Sequence, residues 1–382
     1  MTAETHSPKY RQIYDQLRSA IVVGDYRHGS RLPSEADLAS QYDTSRITVA
    51  RAFQELHMQG FVERRVGAGT YVRSAEPMQE LRFGLLIPDP GQTEIFEPIC
   101  RGMAEVKQSS RFSLLWGNSQ APQSTSELQA DRVLQHFLDI GVSGVFFAPF
   151  EHRRHKNEAN QRIVQALDKA GVPVVLLDRD IESYPQRSHY DVVGIDNRRA
   201  GYMLAQHLID QGCRRIIFIA RKSSAPTVDA RIMGYRDALL QHGIAPDPAL
   251  VQWMDPDDAV AVEALMRELK PQAAICANDT TSMRLMRTLT GLSFEIPGDL
   301  LVASFDDVKH AELLMVPLTT IRQPCSAIGA EAIAAMLERV ANPELPARDI
   351  FLDFTLMVRN STKSSSAEAE LRVAANEPRT ST

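Results

Sequence analysis

The chain has little cysteine and no cysteine pattern. Cys100, Cys213, Cys276 and Cys325 are its four cysteines in 382 residues, and none forms a C-x-x-C pair. That argues against a zinc site and a disulfide framework and fits a reducing compartment. No apolar run approaches the ~20 residues a membrane span requires. The opening MTAETHSPKYRQ has neither an apolar core nor a cleavage pattern, so export is not expected and the cytoplasm is. Three loops of nucleotide and acyl chemistry are also missing: no G-x-G-x-x-G, no G-x-x-x-x-G-K-[ST] and no G-x-S-x-G. RFGLLIPDPG ends in proline where a phosphate loop needs glycine. Neither a cofactor nor a metal is expected, and a sugar- or nucleotide-processing enzyme is kept only as the alternative function.

Acidity over the whole chain, a formal charge of −6, speaks against nucleic acid only until it is divided. Residues 1–75 hold 10 Lys and Arg against 8 Asp and Glu, a balance of +2; the rest hold 32 against 40, a balance of −8. Arg46 with Arg51, and Arg64 with Arg65, concentrate positive charge in the first part. A locally basic face on a small domain suffices for phosphate contact.

Along that first part, Ile13, Leu17, Ala20 and Ile21 fall at helical spacing before Gly24. Ser34 precedes EADLASQY as a helix cap, with Asp37 three positions on. Thr44-Ser45 opens a third helix, RITVARAFQELHM, which Gly60 stops. FVERR and TYVR flank Gly67-Ala68-Gly69 as a hairpin. Three helices and a hairpin make a winged helix-turn-helix over 1–75. Tyr14, Phe53 and Phe61 are assigned to its core.

After Ser74-Ala75-Glu76-Pro77, with residues 76–81 read as a linker, the rhythm changes. Nine apolar runs follow, at 82–89, 112–118, 144–150, 172–179, 191–196, 214–220, 250–255, 273–279 and 300–307, alternating with helix-like stretches. Continuous apolar strands alternating with helices indicate parallel sheets covered on both faces. Nine are too many for one small domain, so the fold class is α/β, a winged helix-turn-helix plus two doubly wound lobes. The lobes are placed at about 82–185 plus 303–322, and 190–300 plus 325–358. The polar tail 361–382 is expected to be disordered.

The segment GSRLPSEADLASQYDTSRITVARAFQELHMQGFVERRVGAGTYV resembles the DNA-binding domain of the GntR family, through LPSE, SR-x-TV and GxGTYV. The resemblance implies double-stranded operator DNA as a partner. The contact candidates are Ser34, Ser45, Arg46, Thr48, Arg51, Arg64, Arg65, Gly67, Gly69 and Thr70. An arginine in the first turn of a recognition helix reaches guanine O6 and N7 with two hydrogen bonds. Many relatives carry arginine after TV, where this chain has Ala50.

Residues 82–360 resemble the effector domain of the LacI/GalR family, through VVGIDNRRAGYMLAQHLIDQGCRRIIFIA, AAICANDTTSMRLMRTL, LLVASFDD and LTTIRQP. The combination with a GntR-like head resembles arabinose-type repressors. It implies a repressor whose operator affinity follows a small, sugar-like effector held between the lobes. Phe96, Arg179, Asp196, Arg231, Asn278 and Asp306 are the effector candidates. Most stand at strand ends, where open parallel sheets bind ligands.

Several readings stay open. Asp196 and Asn197 either meet ligand or cap the following helix, and Asp279 is in the same position. Trp253 is core or a stacking platform. His152 and His155 in EHRRH read as a charged solvated face rather than a metal pair. A regulator with a pyridoxal-dependent domain would need a strand-end lysine, which the sequence does not offer. A homodimer on a roughly palindromic operator is expected, because two-fold pairing doubles the sequence read.

Overall fold

The computed structural model describes residues 8–65, 68–73, 81–87, 95–106, 112–116, 126–153 and 155–363. Two compact units divide the chain, Met1–Glu80 and Leu81–Thr382.

The first unit contains α1 (Lys9–Val23), α2 (Glu35–Gln41), α3 (Arg46–Met58) and the antiparallel strands β1 (Val62–Arg65) and β2 (Gly69–Val72). One stripe of α1, Ile13, Tyr14, Leu17 and Ile21, packs with Val49, Ala52, Phe53 and Leu56 of α3. Phe61, Val62 and Val72 close this core. Ser34 and Asp37 form a reciprocal capping box at the start of α2, each side chain serving the other's backbone N–H. Ser45 caps α3 by accepting from the Thr48 N–H at 3.2 Å. Of the hairpin glycines, Gly67 lies outside the described residues.

The second unit carries β3 (Leu81–Leu86), α4 (Phe96–Glu105), β4 (Phe112–Trp116), α5 (Ser126–Asp139), β5 (Gly144–Phe147), α6 (Lys156–Lys169), β6 (Val174–Leu177) and β7 (Asp191–Ile195). There follow α7 (Asn197–Asp210), β8 (Ile216–Ala220), α8 (Pro226–Gln241), β9 (Val251–Trp253), α9 (Ala259–Leu269), β10 (Ala273–Cys276), α10 (Asp279–Gly291), β11 (Leu301–Asp306) and β12 (Thr319–Arg322). The last elements are α11 (Cys325–Ala341), β13 (Asp349–Leu352) and β14 (Thr355–Met357). Two six-stranded sheets result, in the orders β13-β7-β6-β5-β3-β4 and β14-β12-β11-β10-β8-β9, parallel except for β14. Every strand from β5 to β8 is buried along its whole length, as are β10 and β11, which is why their sequences read as unbroken apolar runs.

The lobe boundaries differ from those expected. The first sheet includes β7 and β13, and the second includes β11, β12 and β14. So the first lobe is about 81–195 plus 325–352, and the second about 197–322 plus 355–362. The chain passes between lobes three times, near residues 196, 323 and 353. The expectation exchanged residues 303–322 with most of 325–358. The cause is long-range packing: α11 lies against α4, where a Cβ added to Gly329 would meet the Ile99 carbonyl oxygen at 2.0 Å. Only bare backbone permits so close a crossing.

Two further boundaries move. Leu81 is already the first residue of β3 rather than linker. Ser361 and Thr362 are buried rather than the start of a disordered tail: Ser361 Oγ donates to Val302 O at 2.6 Å and accepts from Thr319 N at 2.8 Å. They stitch the chain end to β11 and β12, a role their polar composition disguised. Residues 364–382 lie outside the described residues.

Candidate functional site

In the first unit, α2, the start of α3 and the wing strands enclose a concave patch of about 530 Å³. Arg31, Ser34, Arg46, Arg64, Arg65, Gly69 and Thr70 line it. The fold thus gathers most of the expected DNA-facing residues on one surface. Their commitments differ. Arg46 is exposed at the first position of α3. Ser45 and Thr48 share a hydroxyl–hydroxyl bond of 2.9 Å. Arg51 rests over the Tyr10 ring at 4.0 Å. Arg64 pairs with Glu35. Arg65 donates to Glu63 at 2.7 Å and covers the Tyr71 ring. Thr70 is only 8 % exposed, and its carbonyl accepts from Leu32 N at 2.9 Å, which fastens the wing to the preceding loop.

Arg31 was missed by sequence reasoning. It sits in an irregular stretch with no helical or alternating pattern, and an isolated bridge to Tyr71 carries it onto the wing. Gly69 makes that possible: its φ is +112°, and a Cβ there would stand 2.7 Å from Arg31 Nε.

The second site lies where both sheets end. Arg179 follows β6, Asp196 follows β7, Asn278 follows β10, and Asp306 ends β11, so parallel topology alone delivers all four to the cleft between lobes. Arg231 enters from α8. Its Nε donates to Asn197 Oδ1 at 2.8 Å, its Nη1 to Ala277 O at 2.6 Å, and its guanidinium lies 4.4 Å above the Phe305 ring. Asp306 accepts from Gln323 Nε2 at 2.9 Å. Arg179 pairs with Glu151 at 2.8 Å and lies over the Phe96 ring at 5.4 Å.

Asp196 and Asn278 have capping duties as well. Asp196 accepts from Arg199 N at 2.9 Å and Asn278 from Thr281 N at 2.9 Å. Asp279 faces inward instead, accepting from Val308 N and Thr320 Oγ1 at 2.9 and 2.8 Å. It braces the loop behind Asp306. Trp253 is 40 % exposed at the end of edge strand β9 and is not core. His152 is largely buried, which lowers its pKa, so EHRRH is not a wholly solvated face.

Asp178, Glu151 and Gln323 complete the cluster. Asp178 and Gln323 were not singled out in the sequence: Asp178 was overshadowed by its neighbour Arg179, and Gln323 becomes a site residue only because the chain changes lobes there. Burial holds the Asp178 carboxyl above its ordinary range against the pull of Arg179 and Arg231. Burial likewise pushes Asp306 up to about 8, with Asp279 and Asp178 adding to the effect and Arg231 opposing it. Burial thus favours the neutral carboxyl of Asp306, a form that can donate as well as accept a hydrogen bond. Three buried polar atoms in this cluster have no hydrogen-bond partner among the described residues: Asp178 Oδ1, Arg179 Nε and Gln323 Oε1. A cavity of about 810 Å³, lined among others by Ile95, Arg101, Lys309 and Arg322, reaches the cluster through Asp306 and Gln323.

Residues 9–72 match the family of bacterial regulatory proteins called gntR, and residues 205–362 match the periplasmic binding protein-like domain. The chain is a transcription regulator with a GntR-family DNA-binding head and a periplasmic-binding-protein-like sensor. The arabinose metabolism transcriptional repressor of Geobacillus stearothermophilus is 27% identical over 370 residues, 93% of this chain and 98% of the relative. The regulator CelR of Thermobifida fusca is 28% identical over 342 residues, 87% and 93% of the two chains. Among solved structures, CcpA of Lactococcus lactis superimposes with a TM-score of 0.63 at 22% identity, covering 75% of this chain and all of that one. A CelR–cellobiose complex gives 0.61 at 24%, covering 93% and 100%. These relatives are regulators rather than enzymes. No helix among the described residues of this regulator is long and apolar enough to cross a membrane.

Proposed function

We propose that this regulator is a cytoplasmic, homodimeric repressor that leaves its operator when a small carbohydrate enters the cleft between the sensor lobes. The carrying observation is the set of buried polar atoms without a partner among the described residues at Asp178, Arg179 and Gln323, beside Arg231 and the buried Asp306 carboxyl. Leaving such groups unpaired costs roughly 1–3 kcal/mol each, and adjacent sugar hydroxyls satisfy donors and acceptors together. The relatives named for arabinose and solved with cellobiose favour the same ligand class.

Ligand binding changes operator affinity only through its preference for one lobe arrangement, a coupling typically of ~1–3 kcal/mol. Ser34, Ser45, Arg46, Thr48 and Gly69, with Arg31 added, are the proposed DNA contacts of the head; Arg51, Arg64 and Arg65 contribute charge while held by Tyr10, Glu35 and Glu63. Phe96, Arg179, Asp196, Arg231, Asn278 and Asp306, with Asp178 and Gln323 added, are the proposed effector contacts.

The test is a thermal-shift screen of the full chain with pentoses, hexoses and disaccharides, followed by operator retardation with each hit. A sugar at 100 times its Kd raises stability by about 2.7 kcal/mol. Absence of a shift with every sugar sinks the effector assignment and leaves the DNA head untouched.

A further inference from the structure

The first turn of α3 presents one side chain that cannot hydrogen-bond and is not in the core. Ile47 is 82 % exposed. Val49, Ala52, Phe53 and Leu56 are the buried face of α3. At ~100° per residue, Ile47 stands about 200° from Val49 and so points directly away from the core. Its neighbours are otherwise engaged. Arg46 turns toward the concave patch shared with Ser34 and the wing. Thr48 bonds Ser45, and Arg51 lies on Tyr10.

A lone exposed apolar side chain ordinarily needs no explanation. This one occupies the turn that a helix-turn-helix lays against base edges. Three of the four bases offer only polar atoms and C–H edges in the major groove, and thymine alone adds a methyl group. We propose that Ile47 is a specificity-determining residue that packs on a thymine C5-methyl in each operator half-site, beside the base met by Arg46. The proposal rests on the DNA-binding reading of the head. Arg46 supplies hydrogen bonds there, and Ile47 supplies discrimination by shape and burial.

The experiment begins with selection of tight-binding duplexes from a randomised pool by the full-length chain. Each thymine of the best duplex is then replaced in turn by deoxyuridine, which removes the methyl and nothing else. Burying one methyl gives about a three- to five-fold effect in affinity. The wild type is expected to lose that factor at one thymine per half-site. Ile47→Ala binds more weakly and shows no loss at that position, whereas Ile47→Val retains it. Uniform tolerance of deoxyuridine by the wild type overturns the assignment, as does an equal penalty in Ile47→Ala, since the penalty then belongs to the DNA. Recovery of no duplex overturns the DNA reading itself, a result distinguishable from either. Ile47 packs against little, so unchanged melting of both variants is expected.

Discussion

Arg231 Nη2 and Asp306 Oδ1 stand 3.7 Å apart, both side chains buried, one from α8 and one from the end of β11. The separation is too long for a hydrogen bond, and burial outweighs the attraction, leaving Asp306 with a pKa of about 8. The sign of its effect on stability follows. Unfolded, the carboxyl releases its proton near pH 4; folded, it holds the proton to about pH 8. Between those values the native state binds more protons, so this group lowers stability as pH rises, by at most about 1.4 kcal/mol per pH unit. Asp306→Asn removes the titration and resembles the neutral acid. Melting curves at pH 5, 6, 7 and 8 are expected to show the wild type losing stability relative to the variant, with the gap opening toward pH 8. Parallel curves would mean that Asp306 is ionised throughout.

The position of Arg231 depends on how closely α7 and α8 cross. A Cβ on Gly201 would lie 2.1 Å from the Arg231 carbonyl oxygen. Alanine favours a helix over glycine by ~1 kcal/mol, but overpacking costs about 1–3 kcal/mol and the helices must part. Gly201→Ala is therefore expected to lower stability in urea unfolding by a net of up to about 2 kcal/mol and to weaken sugar-induced thermal shifts by displacing Arg231. An unaltered sugar response would detach this crossing from the site.

Arg46 is exposed at the first position of α3 and makes no ion pair among the described residues. A bidentate contact to guanine carries ~1–3 kcal/mol of discrimination. Arg46→Ala should lower affinity for the selected duplex by about ten- to a hundredfold and leave the sugar response intact. Arg51→Ala should cost less, because that guanidinium already rests on Tyr10. Equal losses in gel retardation would show that both act through phosphate charge alone.

The parts legible in the sequence were those governed by local pattern. Ser34 and Ser45 announced helix starts because a cap is a one-residue decision. β5, β6 and β10 announced themselves as apolar runs because both faces are covered. The third lobe crossing was not legible: β13 is alternately exposed and half-buried, and β12 and β14 are short. Contacts distant in sequence, of α11 with α4 and with β6 and β7, reveal which lobe the final helix joins. The site followed the same division. Arg179, Asp196, Asn278 and Asp306 could be named from strand ends, whereas Gln323 and Arg31 gain their places through contacts distant in sequence.

The most consequential of those distant contacts for stability surrounds Asp191, wholly buried at the start of β7. Arg339 of α11 donates to both its oxygens at 2.9 Å, and Arg348 adds its backbone N–H at 2.8 Å and Nη2 at 3.2 Å. Burial alone would raise the Asp191 pKa; the bonds from Arg348 and Arg339 outweigh it and hold the carboxyl below its ordinary range. This stabilisation is present above the unfolded pKa near 4 and is lost as pH falls through the lower folded value. Removing one partner of a buried pair typically costs 3–5 kcal/mol, since the other charge stays unpaired. Here Arg348 remains when Arg339→Met is made, so the expected loss falls at the lower end, ~3 kcal/mol. Asp191→Ala takes the anion from two cations. Arg339 keeps its bonds to the carbonyls of Pro343, Leu345 and Pro346 but is largely buried without a counter-charge. Arg348, by contrast, is one-third exposed and Glu338 bonds it at 2.6 Å, so its charge is largely relieved. The double variant Asp191→Ala with Arg339→Met is then expected to be more stable than Asp191→Ala alone in urea unfolding. Additive losses would mean that α11 is held to the first lobe by apolar packing and not by this pair.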